Sequence, residues 1–248
     1  MAGTAVRGRL TWQVAAVTAV TDETATVRTI ELQPPDWAGH RAGQHLDVRL
    51  TAEDGYTAER SYSIASAPGE PVAITVQRLA DGEVSPYLTT ELRAGDELEV
   101  RGPIGGYFVW DADAAPSPLL LAAGGSGIVP LRSILRHRAR SSAGVPARLL
   151  YSVRSLPDVI YRGELDQYAG SISVTYALTR QAPPGWTGHR GRVDTTLLAN
   201  VAWPTSRDPV AYVCGPTPFV ETIAEGLVNL GYPPQQVKTE RFGGPGGP

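Results

Sequence analysis

Arg60-Ser61-Tyr62-Ser63 places a guanidinium, an aromatic ring and two hydroxyls on four consecutive residues. In an extended chain side chains alternate, so Arg60 and Tyr62 share one face. That face offers a fork of donors for a phosphate and a ring that can lie along a flat ligand such as a flavin, with Ser63 beside them. The same four residues also read as an ordinary edge strand. Gly82-Glu83-Val84-Ser85 follows a strand-like run ending near Arg78. A glycine turn with free N–H groups and a serine at a helix start is a phosphate nest, or a plain strand-to-helix turn in which Ser85 is a cap. Gly102-Pro103-Ile104-Gly105-Gly106-Tyr107-Phe108 lets backbone approach a ligand, and equally suits a sharp turn.

Gly124-Gly125-Ser126-Gly127-Ile128-Val129-Pro130 has the more telling context. It follows an apolar run and opens a helical pattern, where N–H groups and the helix dipole favour a pyrophosphate. Pro130 stands where the dinucleotide fingerprint has its third glycine, and proline is easily placed in a first turn. Cys214-Gly215-Pro216 follows a later strand, and strand ends of this kind line a ligand crevice. Cys214 there could touch a nicotinamide or be a small buried hydrophobe. No histidine lies near it in sequence to make it a nucleophile.

Composition narrows the function classes. Cys214 is the only cysteine, which excludes an internal disulfide, a cysteine zinc site and an iron–sulfur cluster held by this sequence. The four histidines form no recognisable metal set, and a net charge of −3 without a basic run argues against nucleic-acid binding. No apolar stretch approaches the roughly 18 residues of a membrane helix. Met1 to Leu10 lacks the apolar core of a secretory signal, so the expectation is a cytoplasmic protein.

Two kinds of element must position these motifs. From Leu10 to about Val109 the chain alternates in short runs: Leu46, Val48 and Leu50 against His45, Asp47 and Arg49. Further strands are predicted over Ala25 to Leu32, Glu59 to Ala65, Pro71 to Arg78 and Glu97 to Gly102, with no convincing long helix, pointing to a small antiparallel barrel. Asp111 to Pro118 reads as a linker. Beyond it, Leu119 to Ala123 is continuously apolar, as a strand buried on both faces should be. A helix bearing Ile128, Leu131, Ile134 and Leu135 on one side follows. Strands are then predicted over Arg148 to Val153, Ile172 to Leu178 and Val210 to Cys214, with a short helix opening at Ser155. In the last helix Thr217 can cap, Pro218 suits the first turn and Gly231 the end. Alternating strands and helices imply a doubly wound parallel sheet. Gly243 to Pro248 read as a tail.

In their order and spacing the motifs resemble the ferredoxin–NADP reductase superfamily, specifically the bacterial oxygenase-reductase type. The resemblance runs from Trp12 to Phe242 and rests on Ala42-Gly43-Gln44, Arg60 to Ser63, Gly82 to Ser85, Gly102 to Phe108, Gly125 to Pro130, Cys214 to Pro216 and Glu240-Arg241-Phe242. It implies a six-stranded antiparallel Greek-key barrel over 1–112 holding FAD. A doubly wound parallel five-stranded sheet, with helices on both faces, would occupy 113–248 and bind the nicotinamide cofactor. By that resemblance Arg60 pairs with the flavin pyrophosphate, Ser61 lies in the same cofactor-binding strand, Tyr62 packs beside the flavin and Ser63 sits near its N5. Gly82, Val84 and Ser85 hold phosphate. Gly125, Ser126 and Gly127 receive the nicotinamide pyrophosphate, with Ser126, Cys214, Gly215 and Pro216 near the nicotinamide, and Phe242 is similar to an aromatic that covers the flavin. Ser63, Cys214 and Glu240 are the residues expected to tune the reacting centre, with no general base required.

Thr179-Arg180 looks like the pair that holds a 2′-phosphate, with Arg154 and Arg190 or Arg192 assisting, so the expected donor is NADPH, with NADH possible. Solvated surface arginines are the alternative. The implied activity is hydride transfer to FAD followed by single-electron transfer to a separate ferredoxin, oxygenase or cytochrome. The rivals are a reductase of small acceptors (ferric chelates, quinones or free flavin) and a non-catalytic flavin-binding electron-transfer subunit.

Overall fold

The computed structural model describes residues 10–112, 117–141, 144–168 and 170–242. Most of the expected N-terminal segment, four residues of the expected linker and the tail Gly243 to Pro248 lie outside the described residues.

The first half contains β1 (Gln13–Thr24), β2 (Val27–Gln33), β3 (His45–Thr51), β4 (Thr57–Ser63), β5 (Val72–Gln77), the short α1 (Ser85–Thr90) and β6 (Glu97–Ile104). The strands form one antiparallel sheet in the order β4-β3-β6-β1-β2-β5. The last strand thus returns between β3 and β1, as a Greek key requires. A bridge between Ile64 and Ile74 ties the end of β4 to β5 and closes the barrel. Alternation drives the closure: Leu46 and Val48 point inward with Val17, Ile30, Ile74 and Val100, and Leu88 and Leu92 plug the end. Each such buried side chain contributes roughly 1.5–3 kcal/mol, against about 0–1 kcal/mol for an exposed ion pair, so apolar faces set the strand positions.

The second half contains β7 (Leu119–Gly124), α2 (Ile128–Arg140), β8 (Ala147–Val153), α3 (Arg162–Gln167), β9 (Ser173–Leu178), β10 (His189–Arg190), α4 (Thr195–Val201), β11 (Val210–Pro216), α5 (Thr217–Asn229) and β12 (Val237–Phe242). All pairings are parallel, in the order β10-β9-β8-β7-β11-β12. Leu119, Leu121 and Ala123 face α2 and α3, while Leu120 and Ala122 face α4 and α5. Two covered faces explain the unbroken apolar run.

Four expectations are corrected. The parallel sheet has six strands, not five: β10 has two residues, too few to leave an alternation, and β12 is polar over most of its length. The short helix expected to open at Ser155 is only a 3₁₀ turn, with Ser155 at its N-cap. It spans Leu156–Asp158 and ends before Tyr161, whose left-handed φ of 61° separates it from α3. Thr217 is the first residue of α5 rather than its cap, since Pro216, with ψ 144°, takes that place. Nor is Ser85 a cap; it opens α1, with Val84 before it. Gly231, with φ 92°, ends α5 as expected.

Hydrogen bonds join the halves. Ser133 Oγ on α2 donates to the Ser66 carbonyl at 2.6 Å, Tyr212 Oη on β11 donates to the Val109 carbonyl at 2.9 Å, and the Tyr161 hydroxyl donates to Thr75 Oγ1. Glu70 of the barrel pairs with Arg136 of α2 at 3.4 Å and with Arg140.

Candidate active site

β3 and β4 run antiparallel with His45 opposite Ser63. Ser63 is buried, and among the described residues its Oγ has no hydrogen-bond partner. Such a hydroxyl carries an uncompensated desolvation cost. Tyr62 packs partly against the barrel core, and burial pushes its hydroxyl well above the usual phenol range. Arg60 is half exposed: Nη1 donates to the Glu59 carbonyl at 2.7 Å and Nη2 to Glu83 Oε2 at 2.9 Å. The structure therefore joins the Arg60 strand to the Gly82–Ser85 turn. Ser61 faces elsewhere; its Oγ donates to Asp47 Oδ1 at 2.7 Å, and Asp47 is itself held by Arg101 at 2.7 Å.

In the Gly82–Ser85 turn the buried Ser85 Oγ accepts from the Leu79 N–H at 3.0 Å. A Cβ on Gly82 would stand 2.9 Å from that oxygen, which is why glycine is needed there. The Ser85 hydroxyl thus serves the turn as an acceptor. Buried Val84 completes the turn, which presents Glu83 toward Arg60.

On the parallel sheet, β8 and β9 lie to one side of β7, and β11 and β12 lie to the other. The junction of β7 and β11 is a topological switch point, where crevices open beyond the strands' carboxyl ends. Gly125–Gly127 forms a 3₁₀ turn between β7 and α2, and Gly125 has φ 54°. A Cβ on Gly127 would lie 2.0 Å from the Cys214 carbonyl oxygen, so the turn packs directly on β11. Ser126 is partly buried in the same turn, and a Cβ on Gly215 would stand 3.0 Å from Gly124 Cα.

Cys214 and Glu240 are register partners across β11 and β12, as are Pro216 and Phe242. Burial, and then the Glu240 carboxylate, push the Cys214 thiol well above its usual range, which disfavours a thiolate. Burial likewise raises the Glu240 carboxyl to about 7, and its Oε2 has no partner among the described residues. Cys214 lies in an apolar cluster shared with Ala42 and Phe108 of the barrel, and Phe242 packs against that cluster. The Phe108 and Tyr212 rings meet edge-on at 5.2 Å.

The arginines converge at the far strand ends. Val153 and Leu178 are register partners, and the Arg180 N–H donates to the Arg154 carbonyl at 3.0 Å. Thr179 Oγ1 donates to the Val153 carbonyl at 3.2 Å, and His189 Nε2 bonds the Arg192 carbonyl at 2.9 Å. Arg154, Arg180 and Arg192 are exposed and form no ion pair among the described residues.

Residues 12–109 match the family model of an oxidoreductase FAD-binding domain, and residues 121–225 that of an oxidoreductase NAD-binding domain. Ferredoxin–NADP reductase B of Sorangium cellulosum is 36% identical over 210 residues, covering 81% of this chain and 84% of that one. The chain belongs to the ferredoxin–NADP reductase superfamily. The glycine betaine monooxygenase reductase subunit of Chromohalobacter salexigens is 31% identical over 210 residues, 82% of this chain and 56% of that protein. The chain therefore spans about half the length of that relative. A ferredoxin–NADP⁺ reductase from Neisseria gonorrhoeae, solved with FAD and NADP bound, shares the fold. Its TM-score is 0.79 at 22% identity, over 93% of this chain and 98% of that one.

A flavin and a nicotinamide nucleotide fit what a superfamily member presents here: two buried oxygens without partners, on Ser63 and Glu240, and a glycine turn closed down on β11. Tyr56 and Glu83 went unnoticed as site residues in the sequence. Tyr56 Oη donates to Glu83 Oε1 at 3.1 Å, a contact across 27 positions that no local pattern announces.

Proposed function

We propose that this chain takes hydride from NADPH or NADH onto bound FAD and delivers the electrons singly to a separate iron–sulfur or haem protein. The observation that supports it most is the single apolar cluster that holds Cys214, beside the switch-point glycines, together with Ala42 and Phe108 of the barrel, with Phe242 packed against it. A nicotinamide held on the sheet would thereby face a flavin held on the barrel. Bound FAD supplies a ring that accepts hydride and gives up electrons one at a time.

The remaining work belongs to side chains and backbone. Arg60 grips the flavin pyrophosphate through charge-assisted bonds. Tyr62 packs along the ring, Ser63 Oγ offers it a hydroxyl, and backbone N–H groups near Val84 hold phosphate. Ser85 Oγ accepts from the Leu79 N–H, and its own O–H is the donor it offers the phosphate. The N–H groups of Gly125 to Gly127 receive the nicotinamide pyrophosphate at the head of α2. Cys214, Gly215 and Pro216 form the floor beneath the nicotinamide, Phe242 shields the flavin, and Glu240 holds a proton in the dry interior beside them. Arg180, with Thr179, Arg154 and Arg192, binds the 2′-phosphate and favours NADPH.

The flavin half is assigned to 1–112 and the nicotinamide half to 113–248. The names of the relatives, a monooxygenase reductase subunit among them, support an oxygenase or ferredoxin as acceptor. No helix among the described residues is long and apolar enough to cross a membrane, and we place the protein in the cytoplasm.

Anaerobic mixing with NADPH and with NADH, with the released flavin identified, tests the reading. Rapid bleaching of bound FAD is expected. A yellow protein that neither nucleotide bleaches would be a flavin-binding subunit and not a reductase.

A further inference from the structure

We propose that Glu83 competes with the flavin pyrophosphate for Arg60, so that the chain holds FAD more loosely than Arg60 alone would permit. The inference rests on the reading that Arg60 binds that pyrophosphate. One N–H of Arg60 Nη2 goes to Glu83 Oε2 at 2.9 Å and one of Nη1 to the Glu59 carbonyl at 2.7 Å, two of the guanidinium's five donors. Glu83 is tethered a second time, because Tyr56 Oη donates to its Oε1 at 3.1 Å. Its backbone is fixed as well, by the Gly82 N–H on the Leu79 carbonyl at 3.0 Å and by Ser85 Oγ under the Leu79 N–H. A carboxylate is therefore delivered to the guanidinium from a built turn.

Charge gives this contact its consequence. Paired with Glu83, the Arg60 guanidinium is locally neutral before a dianionic pyrophosphate arrives. Either Glu83 swings away and gives up two hydrogen bonds, or it stays and repels the ligand. Both oppose binding. The side chains of Arg60 and Glu83 are 52% and 51% exposed, and an ion pair so open to water is weak. A phosphate can displace it, so Glu83 loosens the cofactor without excluding it. Gln at this position keeps the size and can still accept from Tyr56, while it removes the charge and turns an amide NH2 instead of an acceptor toward Arg60.

FAD titration of the full chain stripped of flavin, followed by fluorescence quenching, decides the matter with four proteins: wild type, Glu83→Gln, Arg60→Ala and the double variant. Arg60→Ala is expected to weaken FAD binding about tenfold or more, and Glu83→Gln to tighten it about threefold to tenfold. In the Arg60→Ala background the Glu83→Gln effect should fall below about twofold. If Arg60→Ala weakens binding but Glu83→Gln does not tighten it, competition is overturned while Arg60 keeps its role. Equal tightening in both backgrounds also overturns competition at Arg60. An unchanged Kd in Arg60→Ala overturns both.

Discussion

Cys214 and Glu240 lie in register across β11 and β12, a buried thiol beside a carboxyl whose Oε2 is shut off from water. Glu240 Oε2 has no partner among the described residues, so burial acts on the carboxyl uncompensated and raises it to about 7. In the unfolded chain the same group ionises near 4.5. Between those values the folded protein holds a proton that the unfolded chain has released. Stability therefore declines as pH rises from about 4.5 to about 7 and then levels, by at most about 3 kcal/mol. Glu240→Gln cannot ionise. Its advantage over wild type should be absent near pH 4.5, grow through pH 6 and plateau above pH 7. Urea denaturation of flavin-free protein at four pH values measures it, and a gap that does not vary with pH would contradict the buried-acid assignment.

Ser63 presents the opposite case, a buried hydroxyl that bonds nothing in the described protein. Ser63→Ala should therefore leave the urea midpoint unchanged or slightly raised, because no internal hydrogen bond is lost. Stopped-flow reduction of bound FAD should slow about tenfold or more, as when a preorganised donor is removed from a reacting centre. Slower reduction with the flavin still bound assigns the hydroxyl to the reaction; an unchanged rate removes it from the site.

These residues also show what the sequence could reveal. Leu119 to Ala123 was legible as a central strand because apolar layers cover both its faces, and Arg60 and Tyr62 because alternation is local. The glycine turn was legible from its place between a strand and a helix. The rest depended on partners far along the chain. Ser61 turns to Asp47 fourteen positions away, and Glu83 meets Arg60 across twenty-three. The two residues of β10 exist as a strand only through β9. That Ser85 Oγ accepts from the Leu79 N–H six positions back was likewise not legible.

Gly125 and Gly127 stand two residues apart and should respond differently to alanine. At Gly125 a Cβ meets nothing within 4 Å, and the cost is the left-handed φ of 54°, about 1–2 kcal/mol. At Gly127 a Cβ would lie 2.0 Å from the Cys214 carbonyl oxygen, so β11 must move. Gly127→Ala should destabilise by about 3 kcal/mol or more and weaken nicotinamide nucleotide binding, since the turn no longer closes on Cys214. Equilibrium denaturation of both variants, with nucleotide titrations, makes the comparison. Equal losses would mean that backbone conformation, not contact with β11, is what the turn requires.

In the proposed reading Arg180 carries the choice between nucleotides. It is exposed, has no carboxylate partner among the described residues, and its backbone N–H is fixed on the Arg154 carbonyl beyond the carboxyl ends of β8 and β9. A guanidinium there adds charge-assisted bonds to a 2′-phosphate and nothing to a ribose hydroxyl pair beyond neutral contacts. Arg180→Ala should raise the Kd for NADPH about tenfold to a hundredfold and change that for NADH less than about twofold. Arg154→Ala and Arg192→Ala should act in the same direction and less strongly, because each neighbours the pair without completing it. Added salt should weaken NADPH more than NADH in the wild type and narrow that difference in Arg180→Ala. If wild type binds NADH as tightly as NADPH, or Arg180→Ala weakens both alike, the arginines are a solvated rim and the 2′-phosphate is read elsewhere or not at all.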